Sequence, residues 1–140
     1  MIYIGNYYKD RDNNYKKYLV ARKEGNYGEW LPELSPSKTL LNQYLKFKDQ
    51  GIWNKENFDK YYVTNFLYEM KNKKSRNMLN RIFKEGIEND LILMCYCNKE
   101  EMCHRSILAG LLQGAAEERK IQLVNCETDY SKYYKMYKER

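Results

Sequence analysis

The chain has no apolar run near the ~20 residues that a membrane-spanning helix needs, so no transmembrane helix and no membrane partner are expected. Its opening, MIYIGNYYKD, lacks the basic-then-apolar order of a secretion signal, so a cytoplasmic site of action is expected. No internal repeat, low-complexity linker or second domain interrupts it, and 140 residues suffice to bury one core. Cysteine is sparse: Cys95, Cys97, Cys103 and Cys126 all lie in the last third. A secreted disulfide scaffold uses more cysteines and spreads them, so these four are expected as thiols, thiolates or metal ligands in a reducing compartment. Histidine is reduced to one, His104. Glycine-rich phosphate loops and G-x-G-x-x-G are missing, and no carboxylate dyad stands out. The phosphatase loop C-x5-R also fails, because counting back from Arg105 puts Lys99 where its cysteine would stand.

What is present is basic and aromatic. Lys and Arg number 25 against 19 Asp and Glu, a net charge of +6, and tyrosine occurs 15 times. Such a surface can hold phosphates and stack bases. Lysine on solvated helix faces needs no partner, however, so charge alone does not make this a nucleic-acid binder.

Short apolar runs alternate with helical patterns. Met1–Gly5 and Tyr18–Ala21 read as strands bounded by breakers. Ser35 is placed to cap a helix with Pro36 at its first position, followed by Leu40, Leu41, Tyr44 and Leu45. Asn54 caps a second, in which Phe58, Tyr62, Phe66 and Met70 repeat every fourth residue. A third runs from about Ser75 with Gly86 as its stop. Asp90–Cys97 is apolar on both faces, as in a parallel strand between layers. After a polar loop, a helix begins near Cys103, and Gly110 and Gly114 are expected to let it approach the sheet. Gln122–Cys126 makes a last strand. The pattern predicts a single α/β domain over residues 1–127, three-layered and Rossmann-like, with a mostly parallel sheet flanked by helices. Residues 128–140 form a basic Tyr/Lys-rich tail.

In such sheets ligands bind at the carboxyl ends of the strands, beside helix N-termini. CYCNKEEMCHRS occupies that kind of place. The first helical turn favours an anion, Arg105 offers a fork for phosphate or carboxylate, and Ser106 adds a hydroxyl. Cys103 at a helix start is expected to be acidified towards a thiolate, with His104 as acid, base or ligand. Cys95, in mid-strand, reads as core. Cys97, on the same side and nearer the strand end, can reach the site. Arg105 has another use available, pairing with Glu100 or Glu101. A zinc site built from Cys97, Cys103, His104 and Cys126 is the rival, but its spacing departs from the usual C-x2-4-C knuckle; no cofactor is otherwise read.

LILMCYCNKEEMCHRSILAGLL resembles the signature of the DUF488 family, an apolar strand ending in cysteine, a short acidic loop and CHR-[ST]. LPELSPSKTLLNQYLKFKDQGIWNKENFDKYYVTNFLYEM is similar to an upstream segment of one branch, and MIYIGN to the family's opening strand. The matches span roughly residues 1–125; Ala21 stands where the family has a hydroxyl residue. The resemblance implies a compact α/β domain with a sheet like those of nucleotide-binding folds, and no established reaction. It carries Cys103, His104, Arg105 and Ser106 onto the motif, Arg22 and Cys97 onto neighbouring positions, and Gly5 and Asn6 onto the end of the first strand.

Three functions follow as expectations. The first is an enzyme acting on a phosphorylated or nucleotide-like small molecule, with Cys103 or Cys97 as nucleophile, His104 moving protons and Arg105, Ser106 and Arg22 holding the anion. The second is a nucleotide or signal-binding module without chemistry. The third is nucleic-acid binding through the basic aromatic surface, including Tyr133, Tyr134, Lys135 and Lys138.

Overall fold

The computed structural model describes residues 1–139. Strands β1 (Ile2–Asn6), β2 (Lys16–Leu19), β3 (Glu29–Trp30), β4 (Leu91–Cys95) and β5 (Val124–Asn125) form one sheet in the order β3-β2-β4-β1-β5, with every pairing parallel. β4 is central and all five of its residues are buried. Its unbroken apolar run reflects that position, since a central parallel strand has no solvent face. β3 is absent from the sequence reading because its two residues, Glu29–Trp30, follow Gly28 in a polar stretch with no apolar run, whereas β5 lies within Gln122–Cys126.

Register divides the sheet into two faces. Ile2 aligns with Leu91, and Ile4 and Tyr18 with Leu93, so these side chains share a face with Cys95. Helix α4 (Lys73–Glu88) lies against that face: Gly86 backs onto Ile2, and the Tyr18 hydroxyl donates to Glu85 at 2.5 Å. The β1–β2 connection covers the other face, where Tyr15 stacks on Tyr3 at 4.2 Å and Asp10 fills the space beside Gly5. The sheet is thus the middle of three layers in a single α/β domain.

Local chemistry shifts several boundaries. Helix α1 (Lys38–Asp49) is capped by Ser37, whose Oγ accepts from Leu40 N at 3.1 Å, while Ser35 closes the preceding turn at Pro32–Leu34. Ser37 wins because Glu69 holds both its N–H and its hydroxyl. Asn54 caps α2 (Lys55–Asn57) as expected. The helix then winds through a π segment, Phe58–Val63, into α3 (Thr64–Glu69). Phe58, Tyr62 and Phe66 stack in series and are buried with Met70. α4 is capped by Asn72, and Gly86 sits inside it rather than stopping it, because a Cβ there would lie 2.4 Å from Ile2.

Helix α5 (His104–Glu118) follows β4, with Cys103 at its N-cap. Its glycines approach the C-terminal segment instead of the sheet: a Cβ on Gly110 would meet the Tyr130 carbonyl oxygen at 2.1 Å, and one on Gly114 would meet Tyr134. The Tyr/Lys-rich tail therefore folds, as α6 (Lys132–Lys138), with Tyr130 and Tyr133 buried. Tyr137 reaches the Met70 carbonyl at 2.8 Å and Lys138 pairs with Glu118.

Candidate functional site

The carboxyl ends of β2 and β4 meet the N-terminus of α5. There the single histidine is fixed from both sides. His104 Nε2 lies 2.7 Å from the Val20 carbonyl oxygen. A carbonyl only accepts, so Nε2 carries the hydrogen and Nδ1 of the neutral ring holds the lone pair. That lone pair faces sulfur: Cys95 Sγ at 3.9 Å and Cys103 Sγ at 3.7 Å. Val20 is itself pinned, its N–H donating to Met94 O at 2.9 Å, and Phe66 packs on the imidazole.

Cys95 is a buried core residue, as expected, and its sulfur also faces the His104 ring. Burial pushes its thiol up. The His104 imidazolium, the hydrogen bond to that ring, the Cys97 N–H and the Arg105 guanidinium outweigh burial and bring it down to about 7. For His104, burial opposes the charged ring, yet the Cys95 thiolate and the Val20 carbonyl favour it, and its pKa is raised.

Cys97 and Cys103 form a disulfide, with Cα atoms 6.5 Å apart. This corrects the expectation of free thiols at both, and in this state neither is a nucleophile; loop Asn98–Met102 simply folds back far enough to bring the two together. Cys95 Sγ lies 3.6 Å from Cys97 Sγ. Cys126 is elsewhere: its Sγ contacts the Glu100 carboxylate, which also accepts from Tyr130 Oη at 2.6 Å, and burial raises its thiol pKa. The zinc quartet read from sequence is therefore not assembled.

The predicted anion ligands divide. Arg105 is buried; its Nη1 donates to Cys97 O at 2.8 Å and Cys95 O at 3.5 Å, and its Nε has no partner. It ties the helix to the loop instead of presenting a fork to solvent. Ser106 is fully buried and donates to Cys103 O at 2.8 Å. Asn6 accepts from Tyr8 and Lys9 N–H groups and donates to Cys97 O at 3.0 Å, so it and Arg105 hold the same carbonyl. Gly5 is closed off by Asp10 and Ile92. Arg22 is exposed and does line the open space.

That space is a cleft of about 730 Å³. Cys95, Cys103 and His104 lie at its floor, Tyr44, Trp53 and Tyr62 along one wall, and Arg22, Lys23, Lys48 and Lys99 around it. Among the described residues that line it there is no carboxylate. Tyr62 is brought there by the π segment, and burial keeps its phenol protonated far above the usual range. Lys48, Tyr44 and Trp53 come from the α1–α2 region, whereas Arg22 and Lys23 follow β2 and Lys99 lies in the loop after β4; except for Arg22, the sequence alone does not single these residues out for the site. The signal was weak: single cations scattered over the chain.

A family model described as "Active DUF488-N3 subclade" matches residues 11–116. No curated protein and no solved structure matches the chain.

Proposed function

Starting from the fact that this chain belongs to the DUF488 family, we propose that it binds a small phosphorylated or nucleotide-like molecule in the cleft above Cys95 and His104, and that this pair acts on it. One observation carries the reading: four cationic side chains and no carboxylate surround a cleft with aromatic walls. Cations in a cleft whose lining has no carboxylate concentrate an anion there, and Tyr44 and Trp53 supply faces on which a base can stack. The chemistry falls to Cys95 as nucleophile, with His104 Nδ1 taking its proton and the Val20 carbonyl steadying the imidazolium. The matched subclade's description as active accords with a retained reaction.

Isothermal titration with inorganic phosphate, nucleoside monophosphates and their uncharged nucleosides tests this. Phosphates bind, nucleosides bind more weakly, and Arg22→Ala or Lys48→Ala each weaken phosphate binding by about 1 kcal/mol or more. Equal affinity for charged and uncharged forms removes the reading. Cys95→Ser then separates enzyme from module: an enzyme keeps binding and loses turnover, whereas a binding module is unchanged.

A further inference from the structure

The sulfurs and imidazole at the floor of the cleft have a second use, independent of the cationic rim. Three of the six separations among the four candidate ligand atoms already match a metal site. Cys95, Cys103 and His104 offer ligand atoms all within 4.8 Å of one another, and all three residues are buried. Cys97 Sγ stands 3.6 Å from Cys95 Sγ. In a tetrahedral zinc centre, Zn–S near 2.3 Å and Zn–N near 2.0–2.1 Å place neighbouring sulfurs about 3.8 Å apart and sulfur and nitrogen about 3.6 Å apart. The observed separations are 3.6 Å for Cys95–Cys97, 3.9 Å for Cys95–His104 and 3.7 Å for Cys103–His104. The imidazole carries the mark of a metal ligand as well: its far nitrogen donates to a backbone carbonyl, leaving the near one a lone pair aimed at the sulfurs.

Charge supplies a separate argument. Arg105 is only 3% exposed, and among the described residues no carboxylate pairs with it. A buried cation needs a compensating charge. Three thiolates around a divalent ion leave a net charge of −1, adjacent to the carbonyls that Arg105 already holds.

We propose that the reduced chain binds one zinc ion through Cys95, Cys97, Cys103 and His104 Nδ1. The Cys97–Cys103 disulfide is the oxidised alternative, which excludes the ion by joining two of its ligands. A phosphine opens it: the phosphine takes oxygen from water to become a phosphine oxide, the S–S bond breaks, and two thiols remain. Zinc then replaces the protons of three thiols. While the ion is bound, Cys95 is not available as a nucleophile, so chemistry on a cleft ligand belongs to the metal-free state.

The test uses the wild-type chain. After phosphine treatment and removal of excess reagent, one equivalent of zinc is added, the complex is weighed by native mass spectrometry, and iodoacetamide labelling is read at each cysteine. The expected result is one zinc per chain, with Cys95, Cys97 and Cys103 protected, Cys126 labelled at an unchanged rate, and no zinc on the oxidised chain. Cobalt in place of zinc gives the visible bands of tetrahedral thiolate coordination. Cys95→Ser weakens zinc binding by more than the roughly 10–100-fold typical of losing an outer-shell partner, while Cys126→Ser has no effect. Reduced chain that takes up no zinc, or zinc that protects Cys126 and leaves Cys95 open, overturns the proposal. Arg22→Ala keeps its zinc whatever it does to phosphate binding, so the two readings fail separately.

Discussion

The two halves of α5 are buried for opposite reasons. Its first turn buries His104, Arg105 and Ser106, each engaged with a main-chain carbonyl: Val20, Cys97 and Cys103 respectively. Its later turns bury Gly110 and Gly114, which admit Tyr130 and Tyr134 by having no side chain. Polar groups enter an interior only with directed bonds, whereas close helix contact requires empty space. One helix thus anchors a chemical centre at one end and a chain terminus along its flank.

The largest way to stress that division is to delete residues 128–140. Exposing the α5 flank and losing two buried tyrosines, each worth roughly 1.5–3 kcal/mol, should cost about 3–6 kcal/mol in a urea melt. A truncated chain as stable as the whole would show that the flank needs no cover. Arg105→Met acts at the other end. It removes a charged donor from Cys97 O, a bond of about 1.5–3 kcal/mol, and frees the loop; a variant that keeps full stability but loses phosphate affinity would return Arg105 to ligand binding. Gly110→Ala should cost about 1–3 kcal/mol, since the added methyl meets backbone at Tyr130. Gly114→Ala should cost less, because the Tyr134 side chain it meets is partly exposed and can turn aside. The reverse order would mean that the tail, not the ring, gives way. Ser106→Ala is the mildest, about 1 kcal/mol for one neutral hydrogen bond. Finally, Cys126 carries a raised pKa, so its thiol stays protonated at neutral pH and its alkylation should climb only above the ordinary thiol range; rapid labelling at pH 7 would contradict its burial beside Glu100.

Sequence reading reached what periodicity encodes. The unbroken run Leu91–Cys95, the helix that follows Cys103, and the stripe Phe58–Met70 are all legible because burial repeats along them. The family was legible from the CHRS helix start and the upstream segment, and the match over residues 11–116 agrees. What escaped depends on contacts between distant residues. Cys95 and Cys97 lie on one side, and nothing local says that the inner sulfur, not the outer, meets His104. Ser35 and Ser37 are equally good caps until Glu69, far along the chain, chooses one. The tail reads as polar because its tyrosines and lysines are amphipathic, yet Tyr133 is buried, and Tyr134 and Lys138 both engage Glu118. Lys132, Lys135 and Lys138 of the same segment stay exposed.

The bond from His104 to Val20 is made to main chain, and this hides it from genetics. Replacing Val20 by any smaller residue trims packing but leaves its carbonyl in place, held by the strand through Met94. An alanine scan along β2 would therefore pass over the partner that aims the imidazole. Only an edit to the backbone itself, such as an ester in place of the amide that follows Val20 to weaken its carbonyl as an acceptor, would reveal how much the centre owes to a residue whose side chain takes no part in it.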